Sequence, residues 1–470
     1  MRSILLCLLM LAAPAWAAFT EFYVQTTGSN LNAGSTADNA AEFTYASGTW
    51  VSSTGVFTVA SGNPLTDGVA AGDFASVYAD GSTATGFVGL VTASTSTAIT
   101  VSTTAIHGTA PADGTSNRTL KIGGAWDGPS GSVGFPFGTV KSTGMNASSD
   151  PVRVNFKTGT TYSVTAAMTH GNNGSIFWEA YTTTPGDHGA QAIIDGGATG
   201  TSYTILTVSG GDNSFDGFTF QNNGNSDGAS PTRLVYTSGA GNIFKRCSFK
   251  NSWQYGIDNF GEVIYYECEG TGCRVENTDG DSVGAIRMNL SGSLGLRCFA
   301  YANVLDGFST DGGVLLMKSI AANNGASGCG GTGDENLFMV ANDFYANADD
   351  GVSLVGGDQM NQMWLNNNFV DNGLYGLATN GQPTPGVFLK SGYGTGTAAN
   401  TSGLLETDKW WTSTSLVPYG TDATPYNSPG TMDFRITLDA AEGTGYGLFT
   451  QEHPSYSDTV GYPSIGAAQQ

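Results

Sequence analysis

The sequence predicts an all-β protein. Its body is a right-handed parallel β-helix (a solenoid), with a small β-module before it and a loop-rich cap after it. Three observations predict this. Gly makes up 68 of 470 residues, too turn-rich for a helical protein, while 40% hydrophobic residues is too apolar for a disordered one. A strand-and-turn unit recurs through the middle of the chain. Asn recurs at one turn of that unit.

Taken in order, MRSILLCLLMLAAPAWA (1–17) reads as a secretory signal peptide: Arg2, an apolar run too short to span a bilayer, and Ala15-Trp16-Ala17 as an A-x-A cleavage site. Secretion or display at the cell surface is therefore expected. Residues 18–125 give a cap strand and then short β-runs such as FTYASGTWV and GFVGLVTA between Gly/Ser/Thr turns. After a Gly/Pro/Ser-rich connection the solenoid is expected to extend to residue 390, within a domain 126–390. Residues 391–470, with Trp410-Trp411, form the expected C-terminal cap.

The repeats align on one turn position: NIFKRCSF, VIYYECEG, SLGLRCFA, VLLMKSIA, LFMVANDF and QMWLNNNF. The aligned residues are Cys247, Cys268, Cys298, Ser319, Asn342 and Asn367, spaced by 21, 30, 21, 23 and 25. A second row follows: Asn222, Asn251, Gly272, Asn303, Asn323, Asn347 and Asn372. After it comes a further strand, YGIDN (255–259), AIRMN (285–289), DGFST (306–310), SGCGG (327–331), DGVSL (350–354) and YGLAT (375–379). Equivalent successive strands must be parallel, and such crossovers are right-handed. Coils stacked about 4.8 Å apart let inward Asn side chains bond their copies above and below. The cysteines read as buried small hydrophobes; one or two disulfides are open.

These repeats and the Asn ladder resemble right-handed parallel β-helix proteins of the pectate-lyase-like superfamily. FYVQTTGSNLNAGS resembles the cap strand of secreted members, and IFWEAYTTTPGDHGAQAIIDGG (176–197) their first coils. In uronan lyases of that fold, the resemblance implies an Arg or Lys that takes the proton α to a carboxylate, and a cation, often Ca²⁺, that neutralises the carboxylate. Polygalacturonase-like hydrolases carry segments similar to NTDGD (277–281) and ADDG (348–351). The spacing differs here, however, and their His motif is missing, as are the Asp-His and Arg-Pro signatures of pectate lyases.

Alternation along the strand places Arg246, Glu267, Arg297 and Lys318 outward on consecutive coils, with Phe244, Tyr265 and Trp364 two residues upstream. Carried onto this row, the resemblance makes Arg297, Lys318 and Glu267 candidate catalytic residues. Arg246, Phe244, Tyr265, Trp364 and Arg287 become candidate substrate contacts. The competing reading is a solvated ladder of alternating charge. Calcium, the one cofactor expected, has candidate ligands in the acidic turns at Asp279, Asp281, Asp306, Asp349 and Asp350; no organic cofactor is expected. A net charge of −22 disfavours nucleic acid and anionic membrane partners. Two functions stay open: a secreted protein that binds, and cleaves by β-elimination, an acidic polysaccharide, or a non-catalytic adhesive or spike-like rod.

Overall fold

The computed structural model describes residues 19–82, 86–130, 136–137, 151–171, 176–200, 202–224, 232–274, 284–289, 292–331, 336–354, 362–365, 367–379, 386–389, 391–393, 401–402, 416–418, 426–428 and 433–436. The signal peptide, Asp279 and Asp281 lie outside them. The chain packs as two compact units, residues 1–197 with 204–220, and residues 198–203 with 221–470. No helix among the described residues is long and apolar enough to cross a membrane.

In the first unit, β1 (Thr20–Val24) pairs in parallel with β8 (Val152–Lys157), and β8 with Ile176–Tyr181. Between β1 and β8 the chain forms a closed antiparallel barrel of six strands: β2 (Phe43–Val51), β3 (Val56–Thr58), β4 (Phe74–Ala79), β5 (Phe87–Ser94), β6 (Ala98–Val101) and β7 (Gly114–Ile122). Trp50, Phe57, Val77, Phe87, Ile99 and Leu120 fill it. The β2–β7 register shifts at Gly48, where a Cβ would lie 2.2 Å from the Phe57 ring. Such a bulge bends the strand and lets a small barrel close. Beside the barrel, Trp126 stacks on Phe22 at 4.9 Å and donates its indole N–H to Asn32 O at 2.9 Å.

In the second unit each coil contributes one strand to each of three parallel sheets. Sheet 1 contains Asn242–Lys245, Val263–Tyr266, Ser293–Leu296, Val314–Met317, Leu337–Val340 and Gln362–Leu365. Sheet 2 contains Ser248–Lys250, Glu269–Thr271, Phe299–Tyr301, Ile320–Ala322, Asp343–Tyr345 and Asn368–Val370. Sheet 3 contains Arg233–Thr237, Tyr255–Asn259, Gly284–Met288, Asp306–Thr310, Cys329–Gly331, Val352–Leu354 and Leu377–Thr379. Coil after coil in register is the parallel solenoid that the repeats predict.

The corner from sheet 1 to sheet 2 is a single residue in the left-handed region. Arg246, Glu267, Arg297, Lys318 and Ala341 have φ of 49°, 53°, 55°, 48° and 54°. A non-glycine residue held there costs about 1 kcal/mol or more. The residue after it turns inward and joins a ladder. The Ser319 amide donates to Asn342 Oδ1 at 2.9 Å, and the Asn342 amide and Nδ2 donate to Asn367 Oδ1 at 3.0 Å each. Asn342 Nδ2 also donates to Leu316 O at 2.9 Å. Cysteines take the same rung: Cys268 Sγ donates to Phe244 O at 3.2 Å and Cys298 Sγ to Tyr265 O at 3.5 Å. Burial pushes the Cys268 thiol well above its usual pKa, and none of the five described cysteines is disulfide-bonded. They are scaffold, and no disulfide forms among them.

The corner residue also corrects the expected alternation. Inserting one left-handed residue leaves Phe244, Lys245, Arg246 and Cys247 facing in, out, out and in. Phe244, Tyr265 and Trp364 are therefore fully buried, with Phe244 stacked on Tyr265 at 6.0 Å. They are core residues and cannot touch a substrate.

The second ladder, between sheets 2 and 3, is displaced by one residue from part of the expected row. Its rungs include Asn303, Asn324, Asn347 and Asn372, and each amide donates to the next Oδ1 at 3.2–3.3 Å. Asn222, Asn251, Gly272 and Asn323 are instead the left-handed residues just before the rungs. Replacing Asn347 by Leu strands the Asn324 amide and side-chain N–H groups and the Ala321 carbonyl. Asn347→Leu should cost about 3 kcal/mol in denaturant unfolding. Asn323→Gly, at φ 54°, should change stability by less than about 0.5 kcal/mol. Equal losses would contradict this register.

Candidate functional site

Sheet 3 carries a small residue at one inward position of five successive coils: Gly256, Ala285, Gly307, Gly328 and Gly351. A Cβ at Gly256 would sit 2.5 Å from Ala285 O and 2.9 Å from Phe249 Cβ. The next residue, Ile257, Ile286, Phe308, Cys329 or Val352, also points inward and is fully buried. Two inward residues in succession push their neighbours on both sides outward. The outward columns are thus Arg233–Tyr255–Gly284–Asp306 and Tyr236–Asp258–Arg287–Ser309, in hydrogen-bonded register.

Outward charges are normally solvated, yet the Asp258 side chain is 0% exposed and that of Arg287 is 9% exposed. They form a four-charge network. Arg233 Nε pairs with Asp258 Oδ2 in a very short contact. Arg287 Nε lies 3.8 Å from Asp258 Oδ1. Arg287 Nη2 pairs with Asp311 Oδ2 at 2.6 Å and Nη1 donates to the Tyr255 hydroxyl at 3.1 Å. Burial raises the Asp258 carboxyl above its usual pKa, and the two guanidiniums oppose that rise. Aromatic rings line the network. The Arg233 guanidinium lies 4.6 Å from the Tyr236 ring centroid, and that of Arg287 lies 5.2 Å from Tyr255 and 5.8 Å from Phe260. Tyr236 and Phe260 pack at 5.7 Å, and Phe260 remains 45% exposed.

One coil beyond Arg287, Asp306 accepts the Ser327 amide at 2.9 Å. Burial pushes its carboxyl up to about 7, and the negative charges of Asp349 and Asp350 add to the shift. Asp350 accepts the Tyr375 amide at 3.1 Å and is itself raised, chiefly by burial. Asp349 and Asp350 thus lie within electrostatic range of Asp306. Among the described residues, no three His, Cys, Asp or Glu side chains converge as a metal-binding group.

The corner row lies across the coil from sheet 3. Arg297 Nη1 pairs with Glu267 Oε1 at 3.4 Å, with side chains 32% and 36% exposed. Arg246, Glu267, Arg297 and Lys318 thus make a solvent-facing charge ladder, in which an exposed pair contributes under about 1 kcal/mol. Arg287 alone among the expected substrate contacts sits in the buried network. Asp258, Arg233, Tyr236, Tyr255 and Phe260 were not anticipated. The alignment of AIRMN with YGIDN is one residue out of register, which hid the pairing of Asp258 with Arg287. The recurring small-then-apolar pair (Gly256-Ile257, Ala285-Ile286, Gly307-Phe308) was the signal that fixes it.

No protein-family model matches the chain, and neither does any curated protein. Among solved structures, the fold is similar to pectate lyase Pel9A at TM-score 0.50 and 17% identity, covering 68% of this chain and 88% of that one. The chain folds as a pectate-lyase-like parallel β-helix. A periplasmic alginate epimerase is more distant, at TM-score 0.24 and 10% identity over 54% of this chain and 76% of that one. A tailspike protein of bacteriophage CBA120 gives TM-score 0.25 and 14% identity over 58% and 57%. At these identities the β-helix likeness establishes architecture, not activity.

The Asp306 carboxyl gives this β-helix a distinctive pH response. Below about pH 4 it is protonated in folded and unfolded chains alike. Between about pH 4 and 7 the folded chain keeps a proton that the unfolded chain has lost. Stability therefore falls as pH rises through this window, by at most on the order of 4 kcal/mol, and levels off above it. Asp306→Asn keeps the acceptor for Ser327 and removes the titration. Its advantage over the parent in unfolding free energy should be larger at pH 8 than at pH 5. The same advantage at both values would contradict the assignment.

Proposed function

We propose that the chain is a carbohydrate-binding β-helix whose saccharide lies along the outward face of sheet 3. The observation that carries this reading is the exposed Phe260 ring, packed beside Tyr236 over the buried Arg233–Asp258–Arg287–Asp311 network. Aromatic faces stack on the apolar faces of sugar rings. The network behind them is fixed by its own hydrogen bonds, so little ordering is needed on binding. The fold's likeness to a structure named as a pectate lyase makes acidic polysaccharides the first class to assay.

The finer reading is cleavage by β-elimination. A base removes the proton α to the uronate carboxylate, the C–O bond to the leaving sugar breaks, and an unsaturated product forms. Asp306 exchanges its proton near neutrality, which suits a proton-transfer role. Calcium, expected from the acidic sequence segment that contains Asp279 and Asp281, stays part of the proposal; no step above depends on it.

The test is a panel of uronate-containing and neutral polysaccharides in affinity gels, with ultraviolet detection of unsaturated product with and without EDTA. Phe260→Ala should weaken retardation about tenfold and leave the unfolding midpoint unchanged. Retardation without product supports binding and removes the elimination reading. No retardation by any polysaccharide removes both and favours the rod.

A further inference from the structure

Sheet 1 of the second unit has an outward face that the carbohydrate reading does not use. Side chains alternate along each strand up to the corner. One outward column is therefore Ile243, Ile264, Leu294, Leu315, Phe338 and Met363, in hydrogen-bonded register. A second outward column starts at Lys245 and Tyr266 and is apolar from Leu296 to Leu365. Most of these side chains are partly exposed. Val340 and Leu365, 4% and 3% exposed, form a hydrophobic cluster with Ala341, and Leu315, Met317 and Met363 pack against it. This cluster lies on the outside of the coil, away from the interior that Phe244, Tyr265 and Trp364 fill.

Outward strand positions that meet water are normally polar. Strands of the first unit carry Glu21, Arg153 and Glu179 at such positions. The coil therefore accepts outward charge, and Lys245 shows it for sheet 1 itself. Yet from Ile264 to Leu365 the two columns hold no charged residue. Charge returns at the edges: Arg246, Glu267, Arg297 and Lys318 along the corner, and Glu262, exposed, just before its strand. An apolar centre depleted of charge inside a polar rim is the anatomy of a protein interface.

Shape, area and rim charge select the occupant. A regular sheet face suits a second sheet, packed about 10 Å away. Six strands about 4.8 Å apart, each of four residues about 3.3 Å long, give roughly 400 Å² of flat face. Two copies cover about 800 Å² before side-chain relief and the rims are added, which approaches the roughly 1,200 Å² at the low end of stable interfaces. The rim is mixed in sign, with Glu267 paired to Arg297 at 3.4 Å, and the chain carries −22. An anionic lipid surface is poorly matched to both. We propose that sheet 1 joins two copies of this chain face to face in a weak two-fold dimer, each copy contributing the same patch. Sheet 3 is a different face of the coil, so the dimer leaves the saccharide face open.

The test is sedimentation velocity of the full chain over a concentration series, in low and in high salt. The mass should rise toward twice that of the monomer at micromolar concentrations. Two chains of −22 repel each other, so high salt should tighten the association. Leu296→Lys repeats, two coils on, the lysine that Lys245 already places in that column. It should weaken association about tenfold or more and leave the melting temperature of the dilute chain unchanged. Phe260→Ala, on sheet 3, should leave association intact, so failure of the sheet 3 reading would not erase this signal. Vesicles of phosphatidylglycerol should not carry the chain down. Four results would overturn the proposal: a monomer into the hundreds of micromolar, association that weakens as salt rises, association unchanged in Leu296→Lys, or a monomer that sediments with the vesicles.

Discussion

Everything in the second unit depends on one corner. A residue forced into the left-handed region turns the chain by one sheet, and the next side chain reaches inward to bond the neighbouring coil. The strain at Arg246, Glu267, Arg297 and Lys318 is offset by the rung that follows each of them. Asn is the best rung because its amide group donates to one coil and accepts from another. Ser and Cys do part of that work, which explains why thiols stack in a chain with no disulfide among its described cysteines. The same corner fixes which residues can serve function. It adds one residue to the strand count, sending Phe244, Tyr265 and Trp364 into the core.

On sheet 3 a different local rule gives the opposite result. Paired inward residues such as Gly256-Ile257 and Gly307-Phe308 turn both flanking residues outward. Asp258, Arg287 and Asp306 therefore stand on the outside of the coil yet are withdrawn from water. Burying outward charge is expensive unless each group is matched. Here Arg287 meets Asp258, Asp311 and the Tyr255 hydroxyl. The sheet 1 to sheet 2 corner spends its charges in solvent, where they do little. Sheet 3 organises its charges beneath an exposed ring.

The parallel β-helix was legible because its cause is repetitive: each coil has to restate the turn and the rung, so the period survives divergence in every other residue. The barrel was legible only as a β-module, since closure depends on long-range pairing such as β2 with β7 and on the bulge at Gly48. The site was poorly legible for two reasons. A single left-handed residue inverts the facing of everything upstream of it, and a one-residue slip in aligning AIRMN separates Arg287 from Asp258. Charge type pointed to the corner row, whereas burial, which composition does not reveal, points to sheet 3. Arg287 was singled out for its charge, and Asp258 could be found only through its register with Arg287.

The central claim is that the binding face is sheet 3 and the charged corner is scaffold. Hydrogen–deuterium exchange with and without a retarded polysaccharide tests it most directly. Protection should appear in peptides covering 255–260, 284–289 and 306–311, with 244–249, 293–299 and 314–319 unchanged. Protection confined to the corner peptides would contradict the account.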